Sequence, residues 1–233
     1  MIKRKRLRRF LKQSEDDVVQ AGGACEFVID DGVEEITTTT TIENNRDNNT
    51  SNHHTDGVYL RYSDGHEERF DGKNKKDDVI GVTVHLGERH TCIAKFDVKD
   101  DDEGNEEFPL VEKITMVVRR KIKEAFITSH LDAYNDLDGK KHTESLMHRS
   151  CKIPLAENQY IPSQGEWLLV LMFFKKVQEA LDYAHGEMLK NSCYWSSSEY
   201  SLDCAWGVSV CGGNIGFNFC CKSYTYRVRP CLK

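Results

Sequence analysis

Long apolar runs are missing from this 233-residue chain. No stretch of about 18 apolar residues occurs, so we expect no membrane-spanning helix and no membrane insertion. A basic run from Lys3 to Arg9 passes directly into the polar segment Phe10–Asp17. Without an apolar core after the basic run, we expect no secretory signal peptide, and any export must use another route.

Motifs that identify enzymes or metal sites are also absent. The chain has no HExxH, no phosphate-binding glycine loop and no GxSxG elbow. The acidic run Asp97–Glu107 lacks the EF-hand order of ligands, and His53–His54 is a pair of the kind that is usually solvated in a loop. We therefore expect a protein that is not an enzyme, with no catalytic residues, no metal site and no cofactor.

The nine cysteines do not indicate a metal site or a disulfide framework. Six of them lie between Cys193 and Cys231, with neither CxxC pairs nor zinc-finger spacing. An odd total also argues against complete pairing, so we expect mostly free thiols.

The charge balance excludes a general affinity for nucleic acid. The formal net charge is −6 and the sequence pI is about 5.9, so the whole molecule does not attract phosphate backbones. The basic N-terminal run is typical of a solvated tail, although contact with an acidic partner stays open.

Residues 1–56 differ in composition from the rest of the chain. They are charged at the start and continue through Thr37–Thr41 into an asparagine-rich stretch with little to bury. We predict a flexible or separately folded attachment or assembly segment, with one short strand around Phe27. Residues 57–233 are predicted to contain the folded part of the chain.

The predicted domain alternates between strand and helix signals. Strands are expected at Val58–Tyr62 and Val79–Val84, and a helix over about Lys121–Tyr134. Ser163-Gln164-Gly165-Glu166 has the form of a capping box, which predicts a helix over Gln164–Tyr183. One apolar stripe marks the core face of that helix, formed by Trp167, Leu171, Phe174, Val177 and Leu181.

The C-terminal part has period-two patterning. Trp206, Val208 and Val210 alternate with small residues, and a turn at Gly212–Asn214 leads into a second alternating run. We therefore predict an α+β fold in which small twisted antiparallel sheets are braced by helices.

Five motifs keep their order in the C-terminal part of the chain: Tyr160-Ile161-Pro162-Ser163 with Glu166-Trp167, Tyr194–Tyr200, Ala205-Trp206, Gly213-Asn214 and Tyr226–Pro230. Together they resemble the C-type-lectin-like domains of bacterial and phage surface proteins, which are relatives of the formylglycine-generating-enzyme fold. The resemblance is specific from Tyr160 onward and weaker upstream, at Val79–Asp97 and Asp136–Gly139. It implies a C-type-lectin-like ligand-binding domain over residues 57–233.

The resemblance implies a scaffold in which Trp195, Trp206 and the arginines around Val228 are structural. Sugar-binding lectins of this fold hold calcium with Glu-Pro-Asn, Gln-Pro-Asp or Trp-Asn-Asp, and none of these occurs here. The oxidase branch uses a cysteine pair, whose spacing the adjacent Cys220-Cys221 does not match. An oxidase of that type remains the least favoured alternative.

Residues 201–225 have a composition that suggests diversification. Mutagenesis of the adenines in an asparagine codon reaches every residue type in this window except those of Trp206 and Lys222. The pattern resembles the variable proteins of diversity-generating retroelements, which place mutable codons on the binding face of a C-type-lectin-like domain. An ordinary member of the fold with a fixed ligand is the competing interpretation.

From this resemblance we predict a ligand- or receptor-binding protein on a phage virion or a bacterial surface. Its partner would be a protein or a cell-surface receptor, with homo-oligomerisation left open and a structural virion or surface component as the alternative function. The predicted face comprises Ser201, Leu202, Asp203, Cys204, Gly207, Ser209, Cys211, Gly216, Phe217, Asn218, Phe219, Cys220, Cys221, Ser223 and Tyr224.

Overall fold

The computed structural model of the chain describes residues 25–27, 54–100, 102–111, 126–149, 151–211 and 214–233. Its strands are β1 (Cys25–Phe27), β2 (Gly57–Tyr62), β3 (Glu67–Arg69), β4 (Val79–Leu86), β5 (Arg89–Ala94), β6 (Phe108–Pro109), β7 (Gln159–Tyr160), β8 (Cys193–Glu199), β9 (Cys204–Cys211), β10 (Asn214–Cys221), β11 (Thr225–Tyr226) and β12 (Cys231–Leu232). Its helices are α1 (His130–Asn135), α2 (Gly139–Met147), α3 (Gln164–Met172) and α4 (Phe174–Tyr183).

A six-stranded sheet joins β2, β3, β4 and β5 to two later strands, β7 and β12, in the order β3-β2-β4-β5-β12-β7. Alternation in β2 and β4 turns Val58, Leu60, Val82 and Val84 to one face, where all four are fully buried. That face packs in the main hydrophobic core with the apolar residues of α3 and α4.

A four-stranded sheet completes the fold, in the order β1-β10-β9-β8. The hairpin of β9 and β10 pairs Cys211 with Asn214 at one end and Cys204 with Cys221 at the other. Val208, Val210 and Ile215 point into the same main core as the first sheet. β11 and β6 form a separate two-stranded pair.

The N-terminal segment contributes one described strand. The strand predicted around Phe27 is present as β1, and it pairs antiparallel with β10 in the register Cys25 to Phe217. This pairing makes β1 an edge strand of the four-stranded sheet, a contact that the sequence analysis did not predict. The remaining predictions for residues 1–53 lie outside the described residues.

The capping box is confirmed, but the predicted long helix is two helices. Ser163 accepts a bond from the backbone N–H of Glu166, and the Glu166 carboxylate accepts one from the backbone N–H of Ser163 at 2.7 Å. Phe173 then leaves helical geometry at φ −117° and ψ 25°, so α3 ends at Met172. The break lets α3 be buried on nearly all sides, while α4 buries only the stripe that includes Val177 and Leu181.

The helix predicted over 121–134 is also corrected where it is described. Residues 126–128 are not helical, and α1 begins only at His130. Ser129 is the N-cap, because its hydroxyl accepts a bond from the backbone N–H of Asp132 at 3.1 Å. The earlier part of that prediction lies outside the described residues.

The two scaffold tryptophans predicted from the resemblance are fully buried. Trp195 lies in a second core cluster with Phe108 and Val228, and its indole N–H donates to the Phe108 carbonyl at 2.7 Å. Trp206 donates to the Ile127 carbonyl at 2.7 Å. Both indoles therefore satisfy their single polar group inside the fold.

Two residues of the acidic run after β5 form ion pairs with arginines of the C-terminal segment. Asp97 pairs with Arg229 at 2.6 Å, and both side chains are completely buried. The Arg229 guanidinium also donates to the carbonyls of Lys95 at 2.9 Å and Glu187 at 2.8 Å. Glu106, from the same run, binds Arg227 at 2.6 Å. These contacts anchor the C-terminal segment between β11 and β12.

At the level of fold class, the α+β prediction is confirmed. Helices and small antiparallel sheets share one main core and a second, smaller one. Within the part of the chain that the structure describes, no helix combines the length and the apolar character that a bilayer crossing requires.

Replacing Arg229 by methionine should cost up to about 3–5 kcal/mol of the free energy of unfolding. The buried Asp97 would lose its ion pair at 2.6 Å and keep only Arg227 at 3.5 Å and the Tyr194 hydroxyl at 3.2 Å. Urea denaturation measures the change. Arg69→Met is the matched control, since Arg69 is exposed, and it should stay within about 0.5 kcal/mol of the parent. A loss below about 1 kcal/mol for Arg229→Met, the range of exposed ion pairs, would contradict the structural role.

A second prediction concerns the corner between α1 and α2, where His142 binds Asp136 at 3.0 Å. Burial opposes the charged imidazole, but the bond to Asp136 and the charges of Asp138 and Glu199 outweigh it and raise the pKa of His142. A raised pKa in the folded state means that the stability is complete below the unfolded value of about 6.5. It is lost as pH rises through the folded value.

The free energy of unfolding should therefore fall as pH rises above about 6.5, and His142→Gln should flatten that part of the profile. Denaturation curves at several pH values measure it. His148→Gln, at an exposed position one residue beyond α2, is the control and should leave the slope unchanged. An unchanged slope in His142→Gln would refute the assignment.

Candidate binding face

Strand alternation separates the C-terminal hairpin into an inner and an outer side. Ser209, Cys211, Gly216, Asn218 and Cys220 lie on the side opposite to Val208 and the main core, and each is exposed or half-buried. Ser209 pairs with Gly216 across the hairpin. The structure thus brings these predicted residues together on one surface, which we call the outer face.

Two residues join the outer face that the sequence analysis did not select. Cys193 of β8 lies opposite Ser209 in the strand register, and Tyr226 lies beside Gly207. Burial raises the pKa of the Cys193 thiol, which also interacts with Cys211 and Cys220. The pairing of β8 with β9 places Cys193 there, and a long-range register of this kind cannot be read from spacing alone.

A second group of predicted residues lies at the other end of the hairpin, which we call the hairpin end. Ser201, Leu202 and Asp203 form the loop between β8 and β9, and Ser223 and Tyr224 follow β10. Tyr224 is 59% exposed, which makes it a prominent aromatic group on this surface.

Lys222 holds this loop in place from inside the protein. Its side chain is buried, and the ammonium donates to the carbonyls of Ser201 at 2.8 Å and Leu202 at 2.9 Å. Glu199 is its ion-pair partner and also binds Arg149. Burial lowers the pKa of Lys222, although Glu199 opposes this shift. A buried ammonium thus fixes the backbone of an exposed loop.

An aromatic cluster supports the hairpin end. Phe219 stacks on Tyr200 with ring centroids 3.9 Å apart and an interplanar angle of 3°, and Trp206 contacts both rings edge-on. Phe219 is half-buried, so part of its ring is available on the surface. The His130 ring also contacts Trp206 edge-on, with ring centroids 4.9 Å apart.

Two of the predicted face residues are corrected by the structure. Phe217 is only 3% exposed and packs edge-on against Tyr134 in the main core, because its position in β10 points inward. Gly207 points outward but is buried. A Cβ at this position would lie 2.8 Å from the Tyr194 carbonyl oxygen, so there is no room for a side chain. Neither position can present a side chain to a partner.

The cysteines of this region are free thiols among the described residues. None of Cys193, Cys204, Cys211, Cys220 and Cys221 forms a disulfide with a described residue. Cys220 and Cys221 follow each other in β10, so their side chains point to opposite sides of the sheet. Cys221 lies opposite Cys204 in the register of the hairpin.

A separate polar cluster lies on the six-stranded sheet. His54, Glu67 and His85 each offer a ligand atom, and these atoms lie within 4.8 Å of one another. The imidazole Nε2 of His85 is 2.7 Å from Glu67 Oε2, and that of His54 is 3.8 Å from the same oxygen. The sequence analysis had considered His53–His54 without finding Glu67 or His85; His53 lies outside the described residues.

The electrostatics of the cluster favour a charged carboxylate. Burial opposes ionisation of Glu67, but bonds from His85, Thr83 and Arg61 outweigh it and lower the pKa of that carboxyl. Burial lowers the pKa of His85, although Glu67 acts in the opposite direction.

Comparison with known proteins identifies no family. No protein-family model and no curated protein matches the chain. Among solved structures, a fimbrial protein from Bacteroides ovatus aligns with a TM-score of 0.42 and 15% sequence identity, over 77% of this chain. The chain spans about half the length of that protein, with 49% covered.

Gly207→Ala should destabilise the protein by about 1–3 kcal/mol, because the new methyl group would overlap the Tyr194 carbonyl. Thermal and urea unfolding measure the loss. Ser209→Ala, two residues along the same side of β9, should change stability by less than about 0.5 kcal/mol. Equal tolerance at both positions would show that Gly207 belongs to the accessible face after all.

Proposed function

We propose that this chain is a non-enzymatic binding protein with a C-type-lectin-like fold, displayed on a phage virion or a bacterial surface. It recognises a protein or a cell-surface receptor through the outer face and the hairpin end. Retroelement mutagenesis diversifies the residues of these surfaces, so that related chains bind different partners.

One observation carries the proposal. Within residues 201–225, only Trp206 and Lys222 belong to residue types that adenine mutagenesis of an asparagine codon cannot produce, and both side chains are buried. Trp206 carries the aromatic cluster, and Lys222 holds the loop that contains Ser201 and Leu202. The unreachable residue types therefore coincide with positions that a changing face has to keep.

The outer face suits recognition by shape. Ser209 and Gly216 are small and leave room above the sheet, while Phe219 and Tyr224 offer aromatic surface at the hairpin end. Aromatic groups with few rotatable bonds are typical anchors of protein interfaces. The sheet beneath is held by the main core, so binding would lose little conformational entropy in the scaffold.

The geometry gives no reason to prefer an oxidase. A cysteine-pair oxidase needs two thiols that act on the same substrate, whereas Cys220 and Cys221 point to opposite sides of β10. The proposal therefore assigns these thiols to the varying composition of the face, and no proton transfer or nucleophile is required.

The decisive test is the DNA that flanks the gene. We expect a near-copy of the codons for residues 194–230 beside a reverse transcriptase gene, with mismatches confined to adenines of the copy. The mismatches should fall at codons such as those of Ser209 and Cys220, and the codons of Trp206 and Lys222 should match without change. Codons 58–94 are the internal control and should have no such copy.

A genome without the copy would overturn the diversification claim and leave a binding domain with a fixed ligand. Mismatches that fall equally on core codons, such as those of Val208 and Val210, would also contradict the assignment of the face.

A further inference from the structure

We propose that His54, Glu67 and His85 form a binding site for a divalent transition metal ion, with zinc as the model ion. The site lies on the six-stranded sheet, whereas the hairpin that carries the proposed binding face belongs to the four-stranded sheet. Its existence does not depend on the proposed function.

Cross-strand neighbours bring the three side chains together. Glu67 belongs to the edge strand β3 and His85 to β4, while His54 precedes β2, which runs between those strands. The register pairs Gly57 with His85, so the chain that leads into β2 passes beside the His85 ring. The three residues are well separated in the sequence, and only the pairing of β3, β2 and β4 brings their side chains together.

The two distances from Glu67 to the imidazoles fit a tetrahedral ion after a small adjustment, and the ligand nitrogens of His54 and His85 lie within 4.8 Å of each other. Ligands about 2.0–2.2 Å from zinc are about 3.4 Å from one another in tetrahedral geometry. The observed Nε2–Oε2 distances are 2.7 Å for His85 and 3.8 Å for His54. The His85–Glu67 distance therefore has to increase and the His54–Glu67 distance to decrease, each by less than about 1 Å.

The His54 ring provides the required movement. It stacks on His85 with centroids 4.4 Å apart and an interplanar angle of 22°. An ion must lie near the plane of each imidazole that binds it, so one ring has to tilt out of this stack. His54 is 30% exposed and precedes the first residue of β2, whereas His85 is held within a strand.

The carboxylate is already oriented for a metal. Glu67 Oε1 accepts bonds from Thr83 at 2.7 Å and Arg61 at 3.0 Å, which leaves Oε2 directed at the two imidazoles. Outer bonds of this kind fix a ligand and are typical of metal sites. The structure thus provides both ligands and their supports.

The ligand types select the kind of ion. Calcium needs six or more oxygen ligands, and magnesium a nearly regular oxygen octahedron. Two imidazoles and one carboxylate, with the charge of Glu67 partly compensated by Arg61, instead suit zinc, nickel, copper or cobalt. Three protein ligands leave a fourth position to water or to a group from a partner molecule.

The test is isothermal titration calorimetry of zinc chloride into the full chain, with the cysteines kept reduced. We expect saturable binding that His54→Ala weakens at least about tenfold, since one of three ligands is lost. Thr83→Val keeps the side-chain shape and removes the bond to Glu67, so it should weaken binding about 10–100-fold. His148→Ala, an exposed histidine at the end of α2, is the matched control and should leave the affinity unchanged.

Cobalt(II) separates this site from the cysteines. Bound to imidazole and carboxylate, the ion should show visible d–d bands without the near-ultraviolet charge-transfer band that thiolate ligands add. Excess calcium or magnesium should not displace it. Melting curves in the absence of metal verify that His54→Ala folds as the parent chain does.

Three results would overturn the proposal: no binding at millimolar zinc, equal zinc affinity in the parent and His54→Ala, or a strong thiolate band with cobalt. The last result would place the bound metal at the cysteines.

Discussion

The fold depends on two buried indoles that join its two hydrophobic cores. Trp167 of α3 donates its indole N–H to the Trp195 carbonyl at 3.0 Å, and Trp195 donates its own to the Phe108 carbonyl. Trp167 belongs to the main core and Trp195 to the second. A large apolar body with a single polar group can thus bury extensive surface and still tie separate segments together.

Buried charges then fix segments that have little regular secondary structure. Arg229 joins the residues after β5 to the C-terminal segment, and Lys222 holds the loop between β8 and β9. Each ion is surrounded by carbonyl oxygens and one carboxylate, which compensates the cost of removing it from water. Short irregular connections can therefore have a defined conformation without regular secondary structure.

This arrangement separates support from surface within one hairpin. The inner positions of β9 and β10 contribute to the main core, and outer positions such as Ser209, Cys211 and Gly216 do not. Farther along the outer side, Ala205 is buried in the second core and Cys220 packs against that core. Gly207 marks the limit of that freedom, because the Tyr194 carbonyl occupies the space that a side chain would need. Variation in partner binding is thus compatible with a constant fold, provided that it avoids such positions.

The sequence by itself determined the features that depend on local spacing. Period-two alternation predicts the inner side of β9, and the capping box at Ser163 predicts the start of α3. The alternation of β10 placed Phe217 in the core, but its aromatic character led us to include it in the face. These features need only neighbouring residues, so spacing is sufficient.

Tertiary structure alone decided what depends on distant pairing. The break at Phe173, the burial of Gly207 and the place of Cys193 beside Ser209 all follow from packing between elements that are remote in sequence. The cluster of His54, Glu67 and His85 has the same origin, since only the order of β3, β2 and β4 brings its members together. Local patterns specify which way a side chain points, and sheet order specifies which side chain it meets.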